Sequence, residues 1–502
     1  MRLEGSDGRP RARTDVTLRF LFIVRQKKNV DTFQDVVSAL VDGGHHVTLA
    51  VQEPLDEARR DGIAARFPQP TFEVAACPEG RGDEWRASAP LVRSARDWAH
   101  YLRTPYRNAS KLRARAAHRL AKELGTDEWL EAGGDLDALQ ALRLRDTLER
   151  IEAAIPSDRL HEEFLRRHAP DVVLVSPGLH FGSAQTDFIK SASALRIPVW
   201  MLLFSWDNLS NKGLIHEVPD RMFVWNDIQQ HEAGKLHAYP ADRVVITGAP
   251  RFDAFFEMRP GTTRQEFCAL VGLDPSRPIV TYLCSSKFVA AHEQAFVERW
   301  IAELRNSADP GLAGCSVIVR PHPAGEKDWH TDPRWVARWP GARREKASVS
   351  KPFADERAVV MNSPMQNAVL VLYDTVYHSA AVVGLNTSAE IEAAIVGRPV
   401  FTIVDPAAGG QEGTLHFHYL LRAHGGPVEL ADDFEQHRAQ LAAAVAGNYD
   451  RAAIANFVQR FVRPHGLDQP VAPRVADAIE TLLSVTAGPA APPLESPLAS
   501  NA

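Results

Sequence analysis

Leu18 to Val24 reads LRFLFIV, an almost unbroken apolar run of strand length. A strand with one face in water alternates polar and apolar residues, whereas a run like this belongs to a parallel strand buried on both faces. The same signal returns in Asp171–Val175 (DVVLV), Ile197–Phe204 (IPVWMLLF), Arg221–Trp225, Arg243–Ile246 and Ile279–Cys284 (IVTYLC). A helical segment from about Asp31 to Asp42 separates the first run from a second strand at His46–Val51. Strand, helix, strand is a βαβ unit, and it predicts a parallel sheet.

Extended along the chain, this pattern predicts an α/β protein of two doubly wound, Rossmann-like domains facing across a cleft. Residues 1–16 read as a flexible polar tail, and residues 17–255 as the first domain, interrupted by an Arg- and Ala-rich helical insertion from about 85 to 168. Proline and glycine punctuation marks 256–278 as a linker. A second α/β series over 279–486 runs through Ser316–Val319, Ala380–Val383 and Pro399–Val404 to terminal helices from about 432 to 484. The Ala/Pro/Ser stretch 487–502 reads as a disordered tail. In such sheets ligands bind beyond the carboxyl ends of the strands.

Composition narrows the function classes. With 502 residues, 45% of them hydrophobic, the chain can bury several cores, which excludes wholesale disorder and coiled coil. A net charge of −6 has the wrong sign for a general nucleic-acid binder. Cys77, Cys268, Cys284 and Cys315 are scattered, which is neither a disulfide framework nor a zinc site and fits a reducing compartment. The first residues lack the apolar core of a signal peptide. The apolar stretch Ala368–Ala389 carries Asp374 and His378 at its centre, so it does not read as a membrane span. A cytoplasmic protein is expected.

Three loops of the second domain carry chemistry. The strand Ala380–Val383 ends in Gly384-Leu385-Asn386-Thr387-Ser388, and a helix with Glu390 and Glu392 in its first turn follows. Backbone N–H groups and hydroxyls there suit a phosphate, and the competing reading is a well-capped helix without a ligand. YLCSSK places Ser285, Ser286 and Lys287 after the first strand of that domain, and SVIVRPHP leaves Arg320 and His322 at the mouth of the sheet.

GLNTSAEIEAAIVGRPVFTI resembles the nucleotide-binding half of GT-B fold glycosyltransferases. The resemblance spans about 170 to 425. It implies donor binding by Ser285, Ser286, Lys287, Arg320, His322, Asn386, Thr387 and Ser388. Glu392, ahead of Glu390, would hold the ribose, and Glu412 in GGQEGTLHFHYL would meet the donor sugar together with His416 and His418. The HP motif is similar to that of CDP-glycerol polymerases and bacterial sialyltransferases, where the histidine meets the donor phosphate or nucleotide. His322 would then stabilise the leaving phosphate. No metal or other cofactor is required, because side chains and helix dipole can neutralise the phosphates. The paired histidines of H-x-H make only a weak metal signal.

On the acceptor side, FSWDNLSNKG follows the most apolar strand of the first domain and projects Asp207. An inverting transfer needs a base for the acceptor hydroxyl; Asp207 is the first candidate and His180, in SPGLHFGS, the second. An Asx-type turn is the competing reading of Asp207. TGAPRFDAF reads as hinge and cleft floor. Asp135-Leu136-Asp137 is formally D-x-D but more simply caps a helix. From 102 to 122 a basic amphipathic helix offers peripheral contact with an anionic membrane, against the simpler reading of a solvated face packed on the first domain.

The expected activity is transfer of a sugar from a nucleotide-activated donor to a carbohydrate or lipid-linked acceptor, of bacterial surface-polysaccharide type. Two readings compete with it. A CDP-linked polyol-phosphate transferase is suggested by the HP motif, although GLNTS stands where that family has a D-Y-S-S-like stretch. A non-catalytic nucleotide-binding protein of the same fold is the other. A non-hydrolysing sugar epimerase shares the fold, but its R-E-x-T-E-R-like segment is absent.

Overall fold

The computed structural model describes residues 17–126, 136–323, 335–338, 346–362, 369–408 and 414–486. Seven strands form a first sheet: β1 (Arg19–Val24), β2 (His46–Val51), β3 (Phe72–Ala76), β4 (Val172–Ser176), β5 (Val199–Leu202), β6 (Arg221–Val224) and β7 (Val244–Ile246). They lie in the order β3-β2-β1-β4-β5-β6-β7, and every neighbouring pair is parallel. The apolar run of β1 explains its central place. Phe20, Phe22 and Val24 enter a core on one face, while Leu21 and Ile23 enter another on the opposite face.

The second sheet holds β8 (Ile279–Leu283), β9 (Ser316–Arg320), β10 (Trp335–Arg338), β11 (Lys346–Ser350), β12 (Ala358–Asn362), β13 (Ala381–Gly384), β14 (Val400–Ile403) and β15 (Val428–Ala431). Its order is β10-β11-β12-β9-β8-β13-β14-β15. It is parallel except at one edge, where β11 runs antiparallel to both β10 and β12.

The insertion between β3 and β4 is helical, with helices at Ser88–His100, Ser110–Leu124, Ala138–Ala154 and Arg159–His168. Buried charge fastens it to the first sheet. Arg93 grips the Asp187 carboxylate through both terminal nitrogens, at 2.7 and 2.9 Å, and reaches Glu152 at 3.1 Å. Arg81 adds a second guanidinium on Asp187 at 2.6 Å. Charges so deeply buried persist only when paired in this way.

Two segments depart from the sequence division. The stretch expected as a linker contains the helix Arg264–Val271, capped reciprocally by Thr263 and Glu266, and its Phe267, Cys268 and Val271 pack with Ile279 and Ile318 of the second sheet. The last helix, Val471–Thr486, was expected in the second domain; its Val471, Val475 and Ile479 instead join the core around Phe20 and Phe22 of the first sheet. Asp253, in the stretch read as hinge, explains the return. Its Oδ2 accepts the N–H groups of Val471 and Ala472, each at 2.8 Å, and its Oδ1 receives Arg463 at 2.6 Å. Among the described residues no helix is long and apolar enough to cross a membrane.

Candidate functional site

Strand order fixes where each sheet opens. In the first, the chain works outward from β1 to β3, then starts again on the other side at β4; in the second, the same reversal separates β8 from β13. At such switch points the loops after neighbouring strands diverge and leave a crevice. The carboxyl ends of the two sheets meet across a seam. Trp206, four residues beyond β5, donates its indole N–H to Ser388 Oγ at 3.0 Å, and its ring meets His416 and Phe417 edge-on. Lys111 of the insertion donates to the Val289 carbonyl at 2.7 Å, and the Arg115 guanidinium lies 4.6 Å from the Phe288 ring centroid.

On the side of the second sheet, Ser285 joins the two loops of the crevice. Its hydroxyl donates to the Leu385 carbonyl at 2.6 Å, and its N–H donates to both oxygens of Glu293 at 2.9 Å. Burial pushes the Glu293 carboxyl up to about 8, against the pull of the Ser285 and Tyr282 donors. Ser285, Lys287 and His322 line one cleft of about 520 Å³ together with His292, Gln294 and Glu298. Burial lowers the His322 imidazole below its ordinary range, which keeps it neutral and able to donate one hydrogen bond. Ser286 closes the turn, its carbonyl accepting the N–H groups of Val289 and Ala290. Arg320 donates to Thr375 Oγ1 at 3.0 Å.

The loop after β13 corrects one expectation. Asn386 stands at φ 69°, and the Glu390 carboxylate turns back to accept the N–H groups of Asn386 at 3.1 Å and Thr387 at 3.2 Å. These two amides therefore brace the loop and do not face a phosphate. The helix that follows, Ala389–Ile395, has only 7 residues, and Thr387 Oγ1 accepts from Ala389 N–H. Gly384 is needed beneath this loop, because a Cβ there would stand 2.8 Å from Glu390 Oε1. Burial pushes the Glu390 carboxyl up to about 8. Glu392 behaves differently. It reaches the seam, 3.8 Å from Arg251 of the first sheet's last loop, and burial raises its carboxyl while Arg251 and Arg320 pull it down.

Across the seam, Asp207 meets Lys212 Nζ at 2.9 Å and Asn211 Nδ2 at 2.8 Å. Burial alone would raise its carboxyl, but Lys212, His416 and a hydrogen bond from Ser205 hold it well below the usual carboxylate range. A carboxylate so stabilised is a poor proton acceptor. His180 is shifted the same way for a different reason: burial first, and Arg25 next, disfavour its protonated form, and its buried Nδ1 has no partner among the described residues. The sequence reading missed Asp97, which sits on the inner face of the helix Ser88–His100. It accepts the N–H groups of Gly182 and Leu214, both at 2.7 Å, and lies 3.2 Å from His216 Nε2, bracing the loops after β4 and β5. Its only signal in the sequence is an acid on an otherwise core-facing helical stripe.

The other sequence candidates separate as follows. Glu412 lies outside the described residues, as does Asp135. Asp137 caps the helix Ala138–Ala154 by accepting Gln140 N–H at 2.8 Å. His416 turns into the seam beside Trp206, whereas His418 packs on Tyr419 and His424, so the two do not converge. Among the described residues no group of three or more His, Cys, Asp or Glu is placed to hold a metal ion. The basic helix Ser110–Leu124 buries its apolar stripe (Leu112, Ala116 and Leu120) against Trp98, Tyr101 and Tyr106. That stripe is part of the fold, as in the simpler of the two readings of this helix.

No family model matches the sequence, and no curated protein matches it. Solved structures do. UDP-GlcNAc 2-epimerase from Methanocaldococcus jannaschii aligns over 92% of this chain and 100% of its own, with 12% identity and TM-score 0.50. A putative UDP-N-acetylglucosamine 2-epimerase from Listeria monocytogenes aligns over 94% and 98%, with 11% identity and TM-score 0.53. The calicheamicin glycosyltransferase CalG4 overlaps more loosely, over 94% and 100%, with 14% identity and TM-score 0.45. Two doubly wound sheets meeting at their carboxyl ends, and an alignment that runs nearly the length of the epimerases, give this chain the GT-B fold.

Proposed function

We propose that the protein transfers a sugar from a nucleotide-sugar donor to a hydroxyl of a carbohydrate or lipid-linked acceptor, as in surface-polysaccharide assembly. One observation carries this reading: Ser285, Lys287 and His322 line one cleft at the carboxyl end of the second sheet, and Trp206, from the loop after β5 of the first sheet, reaches across to Ser388 on the loop after β13. In the proposed reaction the acceptor oxygen bonds to the anomeric carbon as the bond from that carbon to the donor phosphate breaks. His180 takes the hydroxyl proton, because its buried Nδ1 has no partner among the described residues whereas the Asp207 carboxylate is already taken up by Lys212 and Asn211. Lys287, Arg320 and His322 meet the charge that grows on the departing diphosphate. Glu392 binds the ribose, and the loop Asn386–Ser388 shapes the floor beside it. With the Lys287 and Arg320 cations and a hydrogen bond from neutral His322 in that role, the transfer needs no divalent metal.

Thermal-shift titration against UDP, CDP, CMP, GDP and ADP tests the donor site, since a ligand that binds only the native state raises its stability. The expected result is a clear shift with one nucleotide, unchanged by a chelator and lost in His322→Ala and Lys287→Ala. A shift with CDP or CMP alone would move the reading to a polyol-phosphate or sialyl donor. No shift with any of them would overturn it. Conversion of UDP-GlcNAc at C2 without an acceptor would make the protein an epimerase, the activity named for the structures it overlaps.

A further inference from the structure

At the first sheet's switch point, positive charge exceeds what pairs it. Arg25 directly follows β1, and Lys28 stands in the first turn of the helix Lys27–Asp42; both reach solvent, with part of each side chain covered by the surrounding loops. Arg119 is exposed on the helix Ser110–Leu124. None of these three forms an ion pair with another described residue. Two further cations arrive from neighbouring loops: Lys212, which carries Asp207 at 2.9 Å, and Arg251, which stands 3.8 Å from Glu392. Phe204 gathers two of the five, with Lys28 Nζ and the Arg251 guanidinium each 5.8 Å from its ring centroid.

These charges act on one another. Burial lowers the Lys28 ammonium first, then Lys212, Arg25 and Arg251 lower it further, and Asp207 alone opposes them. Burial and then Arg119 do the same to Arg25, opposed by Glu53. Like charges gathered in a crevice repel until an anion enters, and the crevice walls concentrate their field on that anion.

We propose that this crevice is an anion subsite, and that the acceptor of the transfer carries a phosphate group held by Arg25, Lys28 and Arg251. The inference rests on the transferase reading for the word acceptor, though not for the binding itself. A planar carboxylate is satisfied by a single guanidinium fork, whereas cations from the ends of β1 and β7 and from the first helix surround a group with oxygens on several sides. The Arg25 charge is felt at His180, where it disfavours the imidazolium, so a phosphate bound to Arg25 would lie on the same side of the first sheet as that candidate base. The phosphate can belong to a soluble sugar phosphate or to a lipid carrier.

Calorimetric titration with glucose 1-phosphate, with glucose as the neutral control, tests the soluble source. Co-sedimentation with phosphatidylcholine vesicles, with and without polyprenyl phosphate, tests the lipid source. Lys28→Met and Arg25→Gln are compared with the unaltered protein, and the best-binding nucleotide of the thermal-shift series is titrated in parallel. Phosphate-dependent binding in either arm, weakened at least about tenfold by each substitution with nucleotide affinity unchanged, supports the subsite and names its source. Absence of binding in both arms, or binding that ignores both substitutions, overturns it. Equal weakening of nucleotide and phosphate overturns it too, because the cluster would then serve the donor diphosphate. Failure of every nucleotide to bind while glucose 1-phosphate still depends on Lys28 sinks the transferase reading and leaves the anion subsite standing.

Discussion

Beside β1 and β4, cations stand exposed around a crevice whose loops are braced from outside by Asp97 of the insertion. Beside β8 and β13, two carboxyls are buried beneath the loops, and their oxygens are spent on backbone N–H groups of Ser285, Asn386 and Thr387. The second crevice thus carries its own scaffold within a few residues of each strand end. The first borrows its scaffold from an insertion and leaves its charge unneutralised. A loop whose amides are already satisfied keeps one shape.

The largest expected effect separates the crevices by pH. Glu293 and Glu390 have folded values of about 8, raised from 4.5, so between those limits the folded protein binds more protons than the unfolded chain. Their contribution to stability is full below pH 4.5 and is lost as pH rises through 8. The slope is at most about 1.4 kcal/mol per pH unit for each carboxyl. Denaturant melts from pH 5 to 9 should show this decline, and Glu293→Gln with Glu390→Gln should flatten it. A slope that survives both substitutions would refute the assignment.

Asp97→Ala breaks the scaffold of the first crevice alone. It strands the half-buried N–H groups of Gly182 and Leu214, at a cost of about 2 kcal/mol in urea melts, and nucleotide affinity should not change. Gly384→Ala is the counterpart in the second crevice. Its methyl group meets Glu390 Oε1 and lies 3.3 Å from the Leu283 carbonyl, so a cost of about 1–3 kcal/mol is expected together with weaker nucleotide binding. If both variants weakened the nucleotide equally, the two crevices would not be independent. The smallest effect belongs to Trp206→Phe, which keeps the ring in the seam and loses its hydrogen bond to Ser388. About 1 kcal/mol is expected, read as a drop in thermal midpoint.

Much of this architecture was legible in the sequence wherever a residue's surroundings are local or its strand is central. β1, β4, β5, β8 and β13 are buried on both faces, and their unbroken apolar runs announce it. β3 and β15 lie at sheet edges, where half of each strand faces water, and neither stood out. β12 is fully buried, yet its five residues make only a short apolar run in a polar stretch. Ser285, Lys287 and His322 fall together because each follows a central strand, and the loop after a strand must open at its carboxyl end. Asp97 could not be read this way, since Gly182 is 85 residues away and only the packed insertion brings them together. That burial and nearby charge hold both Asp207 and His180 below their ordinary ranges is hidden for a similar reason. The groups that set their protonation include Arg25 and His416, far along the chain from each.

The return of the last helix to the first sheet has a consequence for synthesis. Phe20, Phe22 and Phe33 are covered in part by Val471, Val475 and Ile479. While the chain is being made, the first sheet can assemble from residues 19–246, yet one of its faces stays greasy until the final helix leaves the ribosome. The nascent protein therefore carries a sticky surface through the making of the whole second sheet, a window in which a chaperone has something to hold. Asp253 is the latch that ends it, waiting on the finished part of the chain for the first two amides of that helix.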